Sequence, residues 1–226
     1  MTLGAPTLLT SGQSNTAGSS VATASVTPAA NRVVFVACVN LDSGAVPTGV
    51  SGCNLTWTKV VDQVFSDCGL ALYWGVGASP SSGVITISFA ASQIRFRWAV
   101  HQWGTDVDTT TPALQNKVAT GTATNATATL AAGVTAGNAL YGTAGIRGYE
   151  AMTQGSGFVL LTNDDPGNQP TLLTEWEASP ADATGTASWT SSIAYAFILA
   201  EVKAAAAAGE PSQPNFVSQN ASLAVW

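Results

Sequence analysis

Apolar and polar residues alternate with a period of two along most of this chain, in short runs separated by turn chemistry. In Ile94-Arg95-Phe96-Arg97-Trp98-Ala99-Val100, Ile94, Phe96, Trp98 and Val100 share one strand face and Arg95 and Arg97 the other. Leu55 to Val60 alternates as strictly, with Leu55, Trp57 and Lys59 on one face. Arg32 to Val39 is continuously apolar and β-branched, the mark of a strand buried on both faces. Further strands are expected at 21–26, 70–76, 84–89, 139–149, 158–161, 171–177, 186–189 and 193–202. The Thr/Ala/Gly stretch 117–137 reads as two thin outer strands. No segment longer than about ten residues carries a 3.6-residue period. The expectation is an all-β, antiparallel chain of about twelve strands, with turns at the spacing of a sandwich or barrel. Residues 1–18 read as an N-terminal arm, 19–203 as the β-domain, and 204–226 as a linker and docking arm.

Composition narrows the partners. Of 226 residues, 46% are hydrophobic and only 9% charged, against roughly 25% charged in an ordinary soluble domain. Seven Lys and Arg oppose thirteen Asp and Glu, a formal net charge of -6. No basic stripe exists to neutralise phosphates, so nucleic acid is not an expected partner. The charges are expected on outward strand faces and turns, leaving a neutral Ala, Ser, Thr, Gly and Asn exterior. No apolar run reaches the ~18 residues of a spanning helix, so no membrane partner is expected. The start of the chain lacks the pattern of a signal peptide, which suggests synthesis in a cytoplasm. The acceptor triplets beginning at Asn54, Asn125 and Asn220 then read as chance matches.

Few residues suggest chemistry. Glu175 and Glu177 lie two apart on an expected strand and so share a face, the arrangement a glycosidase pair could use. A solvated outer face is the plainer reading, with Trp176 opposite them in the core. Asp106 and Asp108, with neighbouring Thr oxygens, form a partial Ca²⁺ donor set or an Asp-capped turn. Asn163 to Asn168 reads as a tight turn. His101 has no nucleophile in a recognisable elbow beside it. Cys38 reads as a small buried hydrophobe, and a Cys53–Cys68 bridge across one hairpin stays open. No catalytic residue and no cofactor is expected. The segment after Ala204 carries Phe216, Val217, Leu223, Val225 and Trp226, apolar residues suited to docking on a neighbour.

The order of segments resembles a family. Pro28-Ala29-Ala30-Asn31 opens the apolar strand; Leu55-Thr56-Trp57-Thr58 and Leu72-Tyr73-Trp74-Gly75 follow. An aromatic strand then closes in Gly104-Thr105-Asp106-Val107-Asp108-Thr109 and runs on to Pro112. Over about residues 20–203 this is similar to the single-domain β-sandwich proteins of bacteriophage structural genes and bacterial surface proteins. The resemblance implies a jelly-roll-like sandwich serving in a virion, with no catalytic residues to carry over. The expected function is a non-enzymatic virion protein, a capsid decoration (cement) protein binding neighbouring subunits. Its expected partners are other capsid or tail subunits and copies of itself, a trimer being one candidate state. The alternatives are a tail-associated or surface module that binds a carbohydrate or receptor, and a glycan hydrolase using Glu175 or Glu177.

Overall fold

A computed structural model describes residues 2–164, 167, 170–180 and 182–206. Among them are thirteen strands and no helix, arranged as two antiparallel sheets, so the all-β sandwich expected from the period-two pattern is what the chain forms. The first sheet contains β1 (Thr7–Ser14), β2 (Gly18–Ala22), β3 (Val34–Leu41), β4 (Gly49–Gly52), β5 (Thr56–Phe65), β6 (Cys68–Val76) and β7 (Ile85–Gln102). The second contains β8 (Ala113–Thr129), β9 (Ala139–Ile146), β10 (Thr153–Gln154), β11 (Val159–Asp164), β12 (Thr171–Ala178) and β13 (Thr184–Val202).

The two sheets repeat one plan. The first runs β1-β7-β3-β6-β5 and the second β8-β13-β9-β12-β11. In each, the last strand of the half lies between its first strand and the next long one. Two hairpins, β5–β6 and β11–β12, occupy equivalent edges. β4 pairs with the early part of β7, and β10 with the early part of β13. The contacts between sheets respect the same exchange: β1 touches β11 as β8 touches β5, and β7 touches β12 as β13 touches β6. The chain is thus two similar halves facing each other about a pseudo-twofold axis, joined by the segment after Trp103.

Each half must cover both faces of its sheet, because β3 and β9 are buried along their whole length. One face looks at the other half. Phe35, Val39, Leu70, Leu72, Trp103, Tyr141, Trp176 and Ile198 share this interior. Phe35 meets the edge of Tyr141 with ring centroids 5.1 Å apart, and Trp103 meets Trp176 at 6.2 Å, edge-to-face contacts favoured by the ring quadrupoles. The opposite face is covered by the half's own long strand, which turns back over it. In β7, Ile85, Ile87 and Phe89 pack onto Val34, Val36, Cys38 and Trp98. The bend falls near Arg95, at φ 56 in the left-handed region, and the β3–β7 register slips between Val39 and Leu41. In β13 the bend falls between Ser188 and Ile193, where the register with β8 slips. Trp189, Ala187, Ala126 and Ala128 then cap Leu140, Ile146, Leu173 and Leu199.

Several expectations change in detail. Residues 7–14, read as part of an arm, form β1 along β7, and Leu3 is buried in the interior. The segments 84–89 and 94–103 are one strand, as are 186–189 and 193–202. In place of two thin strands over 117–137 there is one strand of seventeen residues, β8, and residues 130–137 form a loop. β4 and β10 are additional. Charges are not confined to the outside: Arg97, Glu175 and Glu201 are fully buried, as is His101. The cysteines are free, and Cys53 and Cys68 lie in different clusters on opposite faces of the first sheet.

The chain start, the joining segment and the last described residues meet at one place. Gly4 N–H donates to Asp106 Oδ2 at 2.8 Å, and Ala205 N–H to the Asp106 carbonyl at 2.6 Å. A circular permutant opened at Thr109 and closed from residue 226 to residue 1 through a Gly/Ser linker therefore keeps both halves intact. It should unfold in a single transition with Tm within about 5 °C of the parent, since changes of ~1 kcal/mol move a chain of this size by a few degrees. An insoluble permutant, with a simple insertion at Thr109 tolerated, would contradict the two-half architecture.

Candidate functional site

The correspondence between halves shows where they differ. Trp74 on β6 pairs with Phe35, and Trp176 on β12 pairs with Tyr141. The residues flanking these tryptophans point away from the shared interior. In the first half they are Tyr73 and Gly75; in the second they are Glu175 and Glu177. Tyr73 donates its hydroxyl to the Pro47 carbonyl at 2.9 Å. Trp57 lies flat on Gly75, where an added Cβ would sit 2.7 Å from the indole. That face of the first half is filled by aromatic rings. In the second half the same positions hold carboxyls, and a cleft of about 360 Å³ opens beside them. Ser156, Gly157, Glu177, Asp182, Thr184 and Thr186 line it.

The turn that leads from β10 into β11 shapes the cleft. Phe158 N–H donates to the Gly155 carbonyl at 3.1 Å. Gly157 takes φ 88 between them, a conformation glycine adopts at no steric cost. Glu177 leans over Gly157, so closely that a Cβ there would lie 2.6 Å from Oε1. Burial raises the Glu177 carboxyl above its ordinary pKa, and the negative charge of Asp182 adds to the effect. Two carboxyls and three hydroxyls therefore face one small space, a lining that can accept and donate hydrogen bonds to a polar neutral ligand.

Glu175 is not on the solvated face expected of it. It is fully buried, because Phe158 and the Gly155 turn close over β12. Oε2 accepts a hydrogen bond from Gly155 N–H at 2.8 Å, and Oε1 has no partner among the described residues. Burial pushes its pKa up to about 8, partly offset by the Gly155 hydrogen bond and reinforced by Glu177. Glu201, equally buried, is treated differently. It accepts from Gln115 Nε2 at 2.6 Å, Thr135 N–H at 2.8 Å and Asn138 Nδ2 at 2.6 Å. These donors outweigh burial and hold its carboxyl below the ordinary value. Glu201 is a structural anion that fixes the 132–138 loop. Glu175 is a neutral acid in the core at neutral pH.

The other candidates have structural partners. His101 lies between the sheets, with Nδ1 3.1 Å from the Tyr141 hydroxyl and Nε2 3.2 Å from Thr162 Oγ1. Burial lowers its pKa to about 3, so the ring is neutral. Arg97 faces Asp164 at 3.9 Å and donates from Nη1 to the Phe96 carbonyl at 2.8 Å. Asp106 and Asp108 each have their own protein partners. Asp106 holds Gly4, while Asp108 accepts from Thr110 and Thr111 N–H at 2.8 Å and pairs with Lys203 at 2.9 Å. That is an Asp-capped turn with an ion pair. No group of three or more His, Cys, Asp or Glu suited to a metal occurs among the described residues. Asn163 and Asp164, read as the start of a turn, end β11, while residues 165, 166 and 168 and all of Phe216, Val217, Leu223, Val225 and Trp226 lie outside the described residues. Sequence reasoning missed the burial of Glu175 and Glu201; the available signals were the apolar run Ala194 to Ala200 leading into Glu201 and the Leu172-Leu173 pair shortly before Glu175.

Comparison with protein-family models, curated proteins and solved structures finds no match.

A buried neutral Glu175 makes stability fall as pH rises. The unfolded chain releases this proton near 4.5, whereas the folded chain keeps it to about 8, so the cost of folding grows across that window. Glu175→Gln, which cannot ionise, should flatten the dependence. At pH 8 it should raise Tm by roughly 10 °C, the size expected for relief of ~4 kcal/mol in a chain of this length. Thermal melts between pH 5 and pH 8 read this directly; parallel curves for parent and variant would refute the assignment.

Proposed function

We propose that the protein is a non-enzymatic structural component of a bacteriophage particle, a capsid decoration (cement) protein that binds neighbouring subunits. The observation that carries this reading is the character of the exposed surface. β8 has one charge, Lys117, in seventeen residues rich in Ala and Thr, and most of it is exposed. Charged groups resist losing water at an interface, whereas small neutral side chains are laid against a neighbour at low desolvation cost. A chain that is 9% charged offers many such surfaces, which suits close packing on a shell. The sequence resemblance over residues 20–203 points the same way, and the apolar residues between Phe216 and Trp226 supply a docking segment. A place in the tail rather than the shell is the nearest variant of the same reading.

The cleft beside Glu177 favours a second reading, a surface module that holds a glycan. Its carboxyls and hydroxyls can accept hydrogen bonds from sugar hydroxyls and donate to them. On that reading, Glu177→Gln with Asp182→Asn abolishes any signal the parent gives on a glycan array, with the fold unchanged by circular dichroism.

Mass spectrometry of particles purified from lysates that contain the chain should find it in a fixed ratio to the shell protein. Immunogold labelling should place it on the outer shell. A chain abundant in the lysate and missing from the purified particles would overturn the proposal.

A further inference from the structure

A free strand edge presents unpaired N–H and C=O groups, and proteins blunt such edges with bulges, charges or short length. Three edges of this fold are blunted in that way. β1 slips register between Leu8 and Thr10. β5 slips between Lys59 and Val61 and carries the Lys59–Asp62 ion pair. β11 has six residues, slips between Leu160 and Thr162, and ends in Asp164. β8 is different. Among the described residues β13 is its only ladder partner, and from Gln115 to Ala123 the two strands run in unbroken register against Ile193 to Glu201. The slip between Ser188 and Ile193 places its extra residues on β13, so the middle of β8 stays straight at its free edge.

We propose that this edge pairs with β8 of a second copy of the chain, antiparallel and centred on Gly121, joining two second sheets into one continuous sheet. The sequence of the strand is self-complementary in that register. Lys117, the only charge, falls opposite Asn125 of the other copy, so no like charges meet. Thr120 falls opposite Thr122 and Ala119 opposite Ala123, small side chains that permit close approach. Thr–Thr neighbours across a ladder are favourable. Lys117, Thr120, Thr122 and Asn125 are all exposed in the single chain. Pairing of this kind is isologous and closes at two. The inference stands on the strand edge and does not depend on a place in a virion.

The test uses the full chain in light scattering coupled to gel filtration, across a range of protein concentrations. The parent should give a mass twice that of one chain at high concentration. Asn125→Lys sets two like-charge pairs against Lys117 across the axis and should weaken association roughly fivefold, from the cross-strand pair energies. Adding Lys117→Glu turns both into opposite-charge pairs and should restore it. Both positions are exposed, so circular dichroism and Tm should stay at the parent values in both variants. A monomer at every concentration, a trimer, or a dimer indifferent to both substitutions overturns the proposal. A dimer that responds as described in a chain missing from particles leaves this inference standing and removes the virion reading.

Discussion

The interior shared by the two sheets is the constraint from which the rest of the architecture follows. Phe35, Trp103, Tyr141 and Trp176 meet edge to face across it, with Leu70, Leu72 and Ile198 filling between them. Because that contact occupies one face of each sheet, the opposite face needs a separate cover. Burying it is worth roughly 25 cal/mol for each Å² of apolar surface. The chain supplies the cover from within each half, by making β7 and β13 long enough to belong to the sheet and to bend back over it. The eighteen and nineteen residues of these strands are a consequence of two-sided burial.

Once both faces are covered, any polar residue on them must be satisfied or neutral. The interior shows each solution. Glu201 collects donors from Gln115, Thr135 and Asn138 and remains an anion. His101 is neutral and sits between Tyr141 and Thr162. Glu175 keeps its proton, with the Gly155 amide as its one hydrogen-bond contact among the described residues. The equivalent position in the first half is Tyr73, whose hydroxyl is satisfied by a carbonyl. The halves therefore share a plan and diverge where ligand chemistry could reside: one side is packed with rings, the other opens into a cleft with carboxyls in its wall.

Much of the fold is legible in the sequence, and the misses have a common cause. Alternation in Ile94 to Val100 and the apolar run of β3 are read at once, because period two reports which residues share a face. It does not report what covers that face. Alternation alone therefore puts Glu175 and Arg97 on outer faces, whereas both are covered by segments outside their own strands. β1, made of Thr, Ser, Gly and Gln beside two leucines, has a weak apolar signal and is held by its ladder to β7. The break in the pattern at Ala90-Ala91-Ser92-Gln93 separates two expected strands, although β7 continues through it as a bend. The repeat of the two halves is written in strand order and pairing. Equivalent residues such as Phe35 and Tyr141, or Tyr73 and Glu175, differ in chemistry, and their spacing drifts along the chain.

The aromatic interior makes the two halves one cooperative unit. Native-state hydrogen exchange on Phe35→Ala tests it most directly, since Phe35 belongs to the first half while β9, β12 and β13 belong to the second. Removing a buried Phe costs ~3–5 kcal/mol. The slowest amides of β9 and β13 should lose protection by the same free energy as those of β3 and β6. Loss confined to β3 and β6, with β9 and β13 still at parent protection, would contradict it.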